Sequence, residues 1–219
     1  MKCHKTHWSK ALRNPSLIAN AGEADYEDLA RRVIAAVPDK PLSFEVFADD
    51  FPGMIKQGRK IATWGRNVNA KVPVTNTEGA FAGDVITALS GEGVVLNITA
   101  IFTPAQVKRV AEALAPDVPA LISVFEGRIA DTGVDPMPAM KECLEILQIR
   151  PKAELLWAST RELLNIYQAN DMGCHIITSP NDVIKKLSLV GKDLDVCSRE
   201  TVQAFYKDAS SSGFTIVTD

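Results

Sequence analysis

From Asp25 onward the chain alternates longer amphipathic runs with short apolar ones, and this rhythm constrains the fold more than any single residue does. The spacing predicts helices over Asp25–Val37, Phe51–Trp64, Thr77–Leu89, Pro104–Leu114, Pro136–Leu147, Arg161–Ala169, Asn181–Leu187 and Arg199–Ser210. Between them it predicts strands at Ser43–Phe47, around Lys71, and at Val94–Thr99, Ala120–Phe125, Glu154–Ala158 and His175–Thr178. Helix starts are marked: Thr103-Pro104-x-Gln106 combines an N-cap, a first-turn proline and a capping-box glutamine, and Ser179-Pro180 repeats the device. About six β–α units in unbroken order imply a parallel sheet covered by helices. A doubly wound sheet would normally carry a glycine-rich phosphate loop after its first strand, and none is present. The expectation is an α/β fold of the (β/α)8 TIM barrel kind, in one domain over 1–219, although a complete barrel typically takes about 250 residues.

Composition narrows the function classes. With 24 Lys and Arg against 27 Asp and Glu, the net charge of −3 gives no electrostatic footprint for nucleic acid. No apolar run is long enough to span a bilayer, and MKCHKTHWSK lacks the apolar core of a signal peptide. Cys3, Cys143, Cys174 and Cys197 are scattered without CxxC spacing, which suits a reducing, cytoplasmic compartment.

Lys71 stands inside a strand. Val68, Ala70, Val72 and Val74 alternate with Asn69, Lys71 and Pro73, so the lysine faces away from the apolar side. An ammonium aimed inward is costly unless it is paired, neutralised or used. Burial favours the neutral amine, the form that condenses with a carbonyl to a Schiff base. On its own the stretch also fits a surface lysine on an edge strand. The other strands, read with the same period, place Glu45, Asn97, Thr99, Ser123 and Ser159 on the inward parity with Lys71. Arg128 and Arg161 follow in loops at the same end, and paired guanidinium groups suit a phosphate. Ser159 also fits an N-cap in Ser159-x-x-Glu162, Asp49-Asp50 a helix cap, His175 a satisfied core histidine, and Trp64 and Trp157 packing residues.

The runs AKVPVTNTEG, VVLNITAIFT, SVFEGRIADTG and ELLWASTREL resemble the transaldolase family, particularly its short branch with the fructose-6-phosphate aldolases. RNPSLIANAG and FEVFADD extend the likeness from about Asn14 to Phe205. The resemblance implies a class I aldolase-type barrel without metal or organic cofactor. It implies that Lys71 forms a Schiff base with a ketose phosphate, while Glu45 and Thr99 hold the water that shuttles protons. Asn14, Asn97 and Ser123 would bind the dihydroxyacetone part, Phe125 would line the pocket, and Arg128, Ser159 and Arg161 would hold the phosphate. The implied substrates are fructose 6-phosphate, erythrose 4-phosphate, glyceraldehyde 3-phosphate and sedoheptulose 7-phosphate, in the pentose phosphate pathway. Glu45, where the aldolases tend to carry glutamine, points toward transaldolase. The C-terminal helix, in the family an oligomer-building element, implies a homo-oligomer.

The likeness breaks before Asn14. Family members open with a strand of the type KIFLDTA, whose aspartate is the general base, whereas MKCHKTHWSKALR has no carboxylate. The expectation is a first strand that is missing or rearranged. Two alternatives to transaldolase follow: a fructose-6-phosphate aldolase, or an impaired barrel that binds sugar phosphates without turnover. Cys3-His4-x-x-His7 has metal-ligand residue types but no second cluster, so a frayed terminus is the expectation there.

Overall fold

In the computed structural model residues 25–218 are described, and they divide into two compact units at the Pro180–Asn181 junction. Asn14, the metal-type residues near the start and the expected defect of the first strand all lie outside the described residues.

The first unit runs α1 (Tyr26–Ala36), β1 (Leu42–Glu45), α2 (Phe51–Ala62), β2 (Val68–Pro73), α3 (Gly83–Gly91) and β3 (Leu96–Ile101). It continues with α4 (Pro104–Ala113), β4 (Ala120–Val124), α5 (Glu126–Ala130), α6 (Met137–Leu147), β5 (Ala153–Trp157), α7 (Leu164–Asp171) and β6 (Ile176–Ile177). Three of these helices, α1, α2 and α4, start where the sequence supplies a capping side chain. Asp25 accepts from the Glu27 and Asp28 amides, Asp50 from Gly53, and Thr103 with Gln106 closes a full capping box.

All five strand pairings are parallel, and the spatial order of the strands, β1 to β6, is the chain order. A doubly wound sheet reverses order at a switch point, so that alternative is set aside. Right-handed crossovers taken always in one direction place every helix on the same face of the sheet. On that face Leu42, Phe44, Ala70, Val72, Leu96, Ile98, Ile122, Leu155 and Trp157 are buried in one core with Val85, Leu89, Val107, Val110 and Met140 from the helices. The opposite face carries the polar residues, which is what positions the site.

Two elements differ most from the sequence expectation. The helix after β2 begins at Gly83 rather than Thr77, because Asn76–Ala80 makes a turn first. Asn76 Oδ1 accepts from Ala80 N at 2.8 Å, Gly79 takes φ +83°, and Thr75 bridges Phe81. Directly after β4 the short α5 stands where no helix was expected.

The second unit holds α8 (Asn181–Lys185), a 3-10 turn at Lys186–Leu189 and α9 (Leu194–Ser211). Helix α9 starts five residues before the expected Arg199, because Asp193 caps it through the Val196 amide.

Candidate active site

Lys71 lies on β2 opposite Glu45 of β1 on one side and Asn97 of β3 on the other, so adjacent strands bring all three to one level. Lys71 Nζ donates to Glu45 Oε2 at 3.2 Å. The two side chains keep 16% and 25% of their exposure, so the pair is mostly enclosed yet open to a ligand. Of the three outcomes for an inward ammonium, the structure shows pairing.

Asn97 is fixed at both ends. Its Nδ2 donates to Ser43 Oγ at 2.9 Å, and its Oδ1 accepts from Ser123 Oγ at 2.7 Å. A polar chain thus crosses from β1 through β3 to β4, all of it buried. Ser43 was not singled out in the sequence, although it shares Glu45's parity and stands two residues before it. Thr99, on the same face, has a buried hydroxyl without a partner among the described residues. Immediately after it β3 bulges: the register slips between Ile98 and Ile101, and Ala100 takes φ +59°. A bulge re-aims side chains at a sheet's rim, and here it follows Asn97, the residue level with Lys71, by three residues.

Glu45 is held from the backbone side as well. Its amide donates to Tyr26 Oη at 3.1 Å, and Gln57 Oε1 takes the next edge amides, Phe47 and Ala48. The Tyr26 ring sits among Phe44, Phe47 and Trp64, and Tyr26, Phe47 and Trp64 with Glu45, Gln57, Lys60 and Ile61 line a cavity of about 160 Å³. Burial holds the Tyr26 phenol above its ordinary pKa; the amide bond from Glu45 opposes this and the Glu45 charge adds to it. Tyr26→Phe keeps the packing and removes the acceptor, so a stability loss of about 1 kcal/mol is expected in urea titration. No change would show that the amide finds water instead.

The loops at this end are tied together. Asp49 accepts from Thr77 N at 2.8 Å and Thr77 Oγ1 at 2.6 Å, which joins the turns after β1 and β2 and holds the Asp49 carboxyl below its ordinary pKa. Asp50 alone is therefore the cap expected of the pair. Phe125 follows β4, near Phe102, and the exposed Arg128 of α5 places its guanidinium 5.1 Å from the Phe125 ring centroid.

Ser159 departs from the expected parity. The register sets Leu156 opposite Ser123, so Leu155 and Trp157 face the helices, and Ser159 lies beyond the strand with φ +67°. It is not a cap either, since Asn165 Oδ1 accepts from the Arg161 and Glu162 amides, each at 3.1 Å. The Ser159 carbonyl instead presses on α5: a Cβ added at Gly127 would stand 1.8 Å from it and 2.8 Å from Arg161 Cγ. This contact brings the Arg161 segment against the helix that carries Arg128. Arg161 pairs with Asp131 at the end of α5. Beneath the loop Glu126 is buried, its Oε2 and the Trp157 Nε1 lacking partners among the described residues.

His175 accepts from Leu155 N through Nδ1 at 3.0 Å, so it is satisfied, but it is exposed rather than in the core. Among the described residues no group of three or more His, Cys, Asp and Glu is placed to hold a metal ion, and no helix is long and apolar enough to cross a membrane.

Consecutive β–α units wound in chain order, with a lysine–carboxylate pair on the face away from the helices, define a parallel α/β protein with an amine-centred site. The profile described as Transaldolase/Fructose-6-phosphate aldolase matches residues 5–216. The chain is 37% identical to a "Probable transaldolase" of Clostridium acetobutylicum over 175 residues, 80% of this chain and 77% of that one. It is 36% identical to a "Probable transaldolase" of a Sulfurihydrogenibium species over 192 residues, 85% of this chain and 83% of the relative. A third protein of that name, from Methanococcus maripaludis, is 36% identical over 175 residues, 80% of this chain and 77% of its own. The chain belongs to the transaldolase/fructose-6-phosphate aldolase family.

Proposed function

We propose that this protein is a transaldolase, moving a dihydroxyacetone unit between sugar phosphates of the pentose phosphate pathway in the cytoplasm, on a closed (β/α)8 barrel. The observation that carries the reading is the Lys71 amine, mostly enclosed, 3.2 Å from Glu45 and level with the pinned Asn97. Lys71 Nζ attacks the ketose C2 carbonyl once Glu45 has taken its proton, and loss of water leaves a protonated imine. That imine accepts the electron pair released when C3–C4 breaks, as a base takes the C4 hydroxyl proton. Glu45 is the carboxylate beside the amine, and the unpartnered Thr99 hydroxyl is suited to hold the water that relays protons. The first aldose leaves, the enamine adds to the acceptor aldose carbonyl, whose oxygen takes up a proton, and hydrolysis of the resulting imine frees the product ketose and the Lys71 amine. Asn97 and Ser123 meet the bound three-carbon unit, Phe125 walls it, and Arg128, Ser159 and Arg161 face the phosphate.

Borohydride reduction in the presence of fructose 6-phosphate tests this. A covalent adduct on the peptide containing Lys71 is expected, with transfer to erythrose 4-phosphate in the unreduced enzyme. Absence of an adduct overturns the Schiff-base reading. Release of free dihydroxyacetone without an acceptor assigns the aldolase instead, and an adduct without turnover assigns the impaired barrel.

A further inference from the structure

Glu126 is a buried carboxyl that none of these steps uses. It opens the helix that carries Arg128, it is 2% exposed, and its Oε2 has no partner among the described residues. Such a group normally finds a hydrogen bond or a counter-charge, and an isolated buried carboxylate is costly. Its surroundings come from three elements. Trp157 of β5 offers an indole N–H, Arg161 and Glu162 lie on the loop before α7, and Asp131 ends α5. Among the described residues that act on it, one cation stands with three carboxyl groups, and that cation, Arg161, belongs to the anion-binding set.

We propose that Glu126 is a positioning residue that ties anion binding at the Arg128–Arg161 loop to its own protonation. Uncharged, it leaves the Arg161 guanidinium to Asp131 and an incoming anion. Ionised, it draws on the same guanidinium from below and repels the anion. The inference rests on the reading that this loop holds the anionic group of the substrate.

Burial raises the Glu126 pKa; the Trp157 N–H opposes it, Glu162 adds to it, and the smaller effects of Arg161 and Asp131 have opposite signs. The sign follows: stability due to the uncharged form is complete below the ordinary glutamate range and is lost as pH rises through the folded value. Anion affinity follows the same curve.

The probe is inorganic sulfate, whose charge is constant over this range, titrated calorimetrically between pH 5 and pH 8. Wild-type affinity is expected to fall about tenfold, the scale of one charge acting across a partly solvated site. Glu126→Gln should stay within about twofold over the same range, because it cannot ionise. Arg161→Gln should bind more weakly through Arg128 and keep only the smaller pH dependence that comes from direct repulsion by Glu126, which provides a second route if Glu126→Gln does not fold. Sulfate binding that is flat with pH in the wild type overturns the proposal and leaves the anion site standing. An equal pH dependence in Glu126→Gln overturns it too, since another group then titrates. No sulfate binding at any pH overturns the anion site and the proposal together.

Discussion

Lys71→Met is expected to leave a folded protein with turnover reduced by a factor on the order of 10⁴ or more, the scale on which removing a covalent nucleophile acts. The expectation separates two roles that a paired lysine can have. If the Lys71–Glu45 pair were a structural bridge, the substitution would lower stability and leave chemistry alone. The pair is mostly enclosed but not sealed, so water still reaches Glu45 once the amine is gone, and the loss should stay below the roughly 3–5 kcal/mol of breaking a fully buried pair. Methionine retains the aliphatic stem against the strand, so the unfolding midpoint should change little. Initial rates with fructose 6-phosphate and erythrose 4-phosphate, measured beside urea unfolding, make the comparison. A variant that loses stability but keeps its rate would remove the amine from the mechanism.

That site was largely legible in the sequence, because parallel strands buried on both faces separate their residues by parity. One face must be apolar enough to meet the helices, and whatever polar residues remain fall on the other. Glu45, Lys71, Asn97 and Ser123 obeyed this, and the register brought the first three level. Parity fails where the backbone leaves the strand. Alternation contains no sign of the bulge at Ala100, and on β5 the register turns Leu155 and Trp157, whose parity Ser159 shares, toward the helices, with Ser159 itself beyond the strand at positive φ. The turn before α3 hid for a related reason: Asn76–Gly79 carries turn residues, but the apolar residues on either side let a helical period run through them. Side chains that satisfy single backbone groups were the least visible. Tyr26, Asp49 and Asn165 each act at a distance or against the direction that capping rules expect.

Gly127→Ala should be the most damaging single methyl in the first unit. The added Cβ would meet the Ser159 carbonyl at 1.8 Å, well inside contact distance, and that oxygen belongs to backbone that has no rotamer to escape into. Ser159 already has φ +67°, so the loop cannot yield by a small rotation without passing the movement to Thr160, whose hydroxyl bonds the Thr178 carbonyl at 2.5 Å. Either α5 lifts from the loop or the loop lifts from α5. Overpacking of this kind costs about 1–3 kcal/mol and more where backbone must shift, so a loss of about 3 kcal/mol is expected. For a chain of this size that lowers the melting temperature by roughly 6–12 °C. The functional consequence is specific, because the same contact sets Arg161 beside the helix that carries Arg128. Sulfate affinity should therefore fall at least about tenfold in the molecules that remain folded, as expected when two charges that act together are moved apart. The borohydride adduct at Lys71 should persist in these molecules, since β1, β2 and β3 do not touch the contact. Thermal unfolding, sulfate calorimetry and adduct mass on one preparation test the three parts. Retention of full sulfate affinity would show that Gly127 shapes the fold without shaping the anion site.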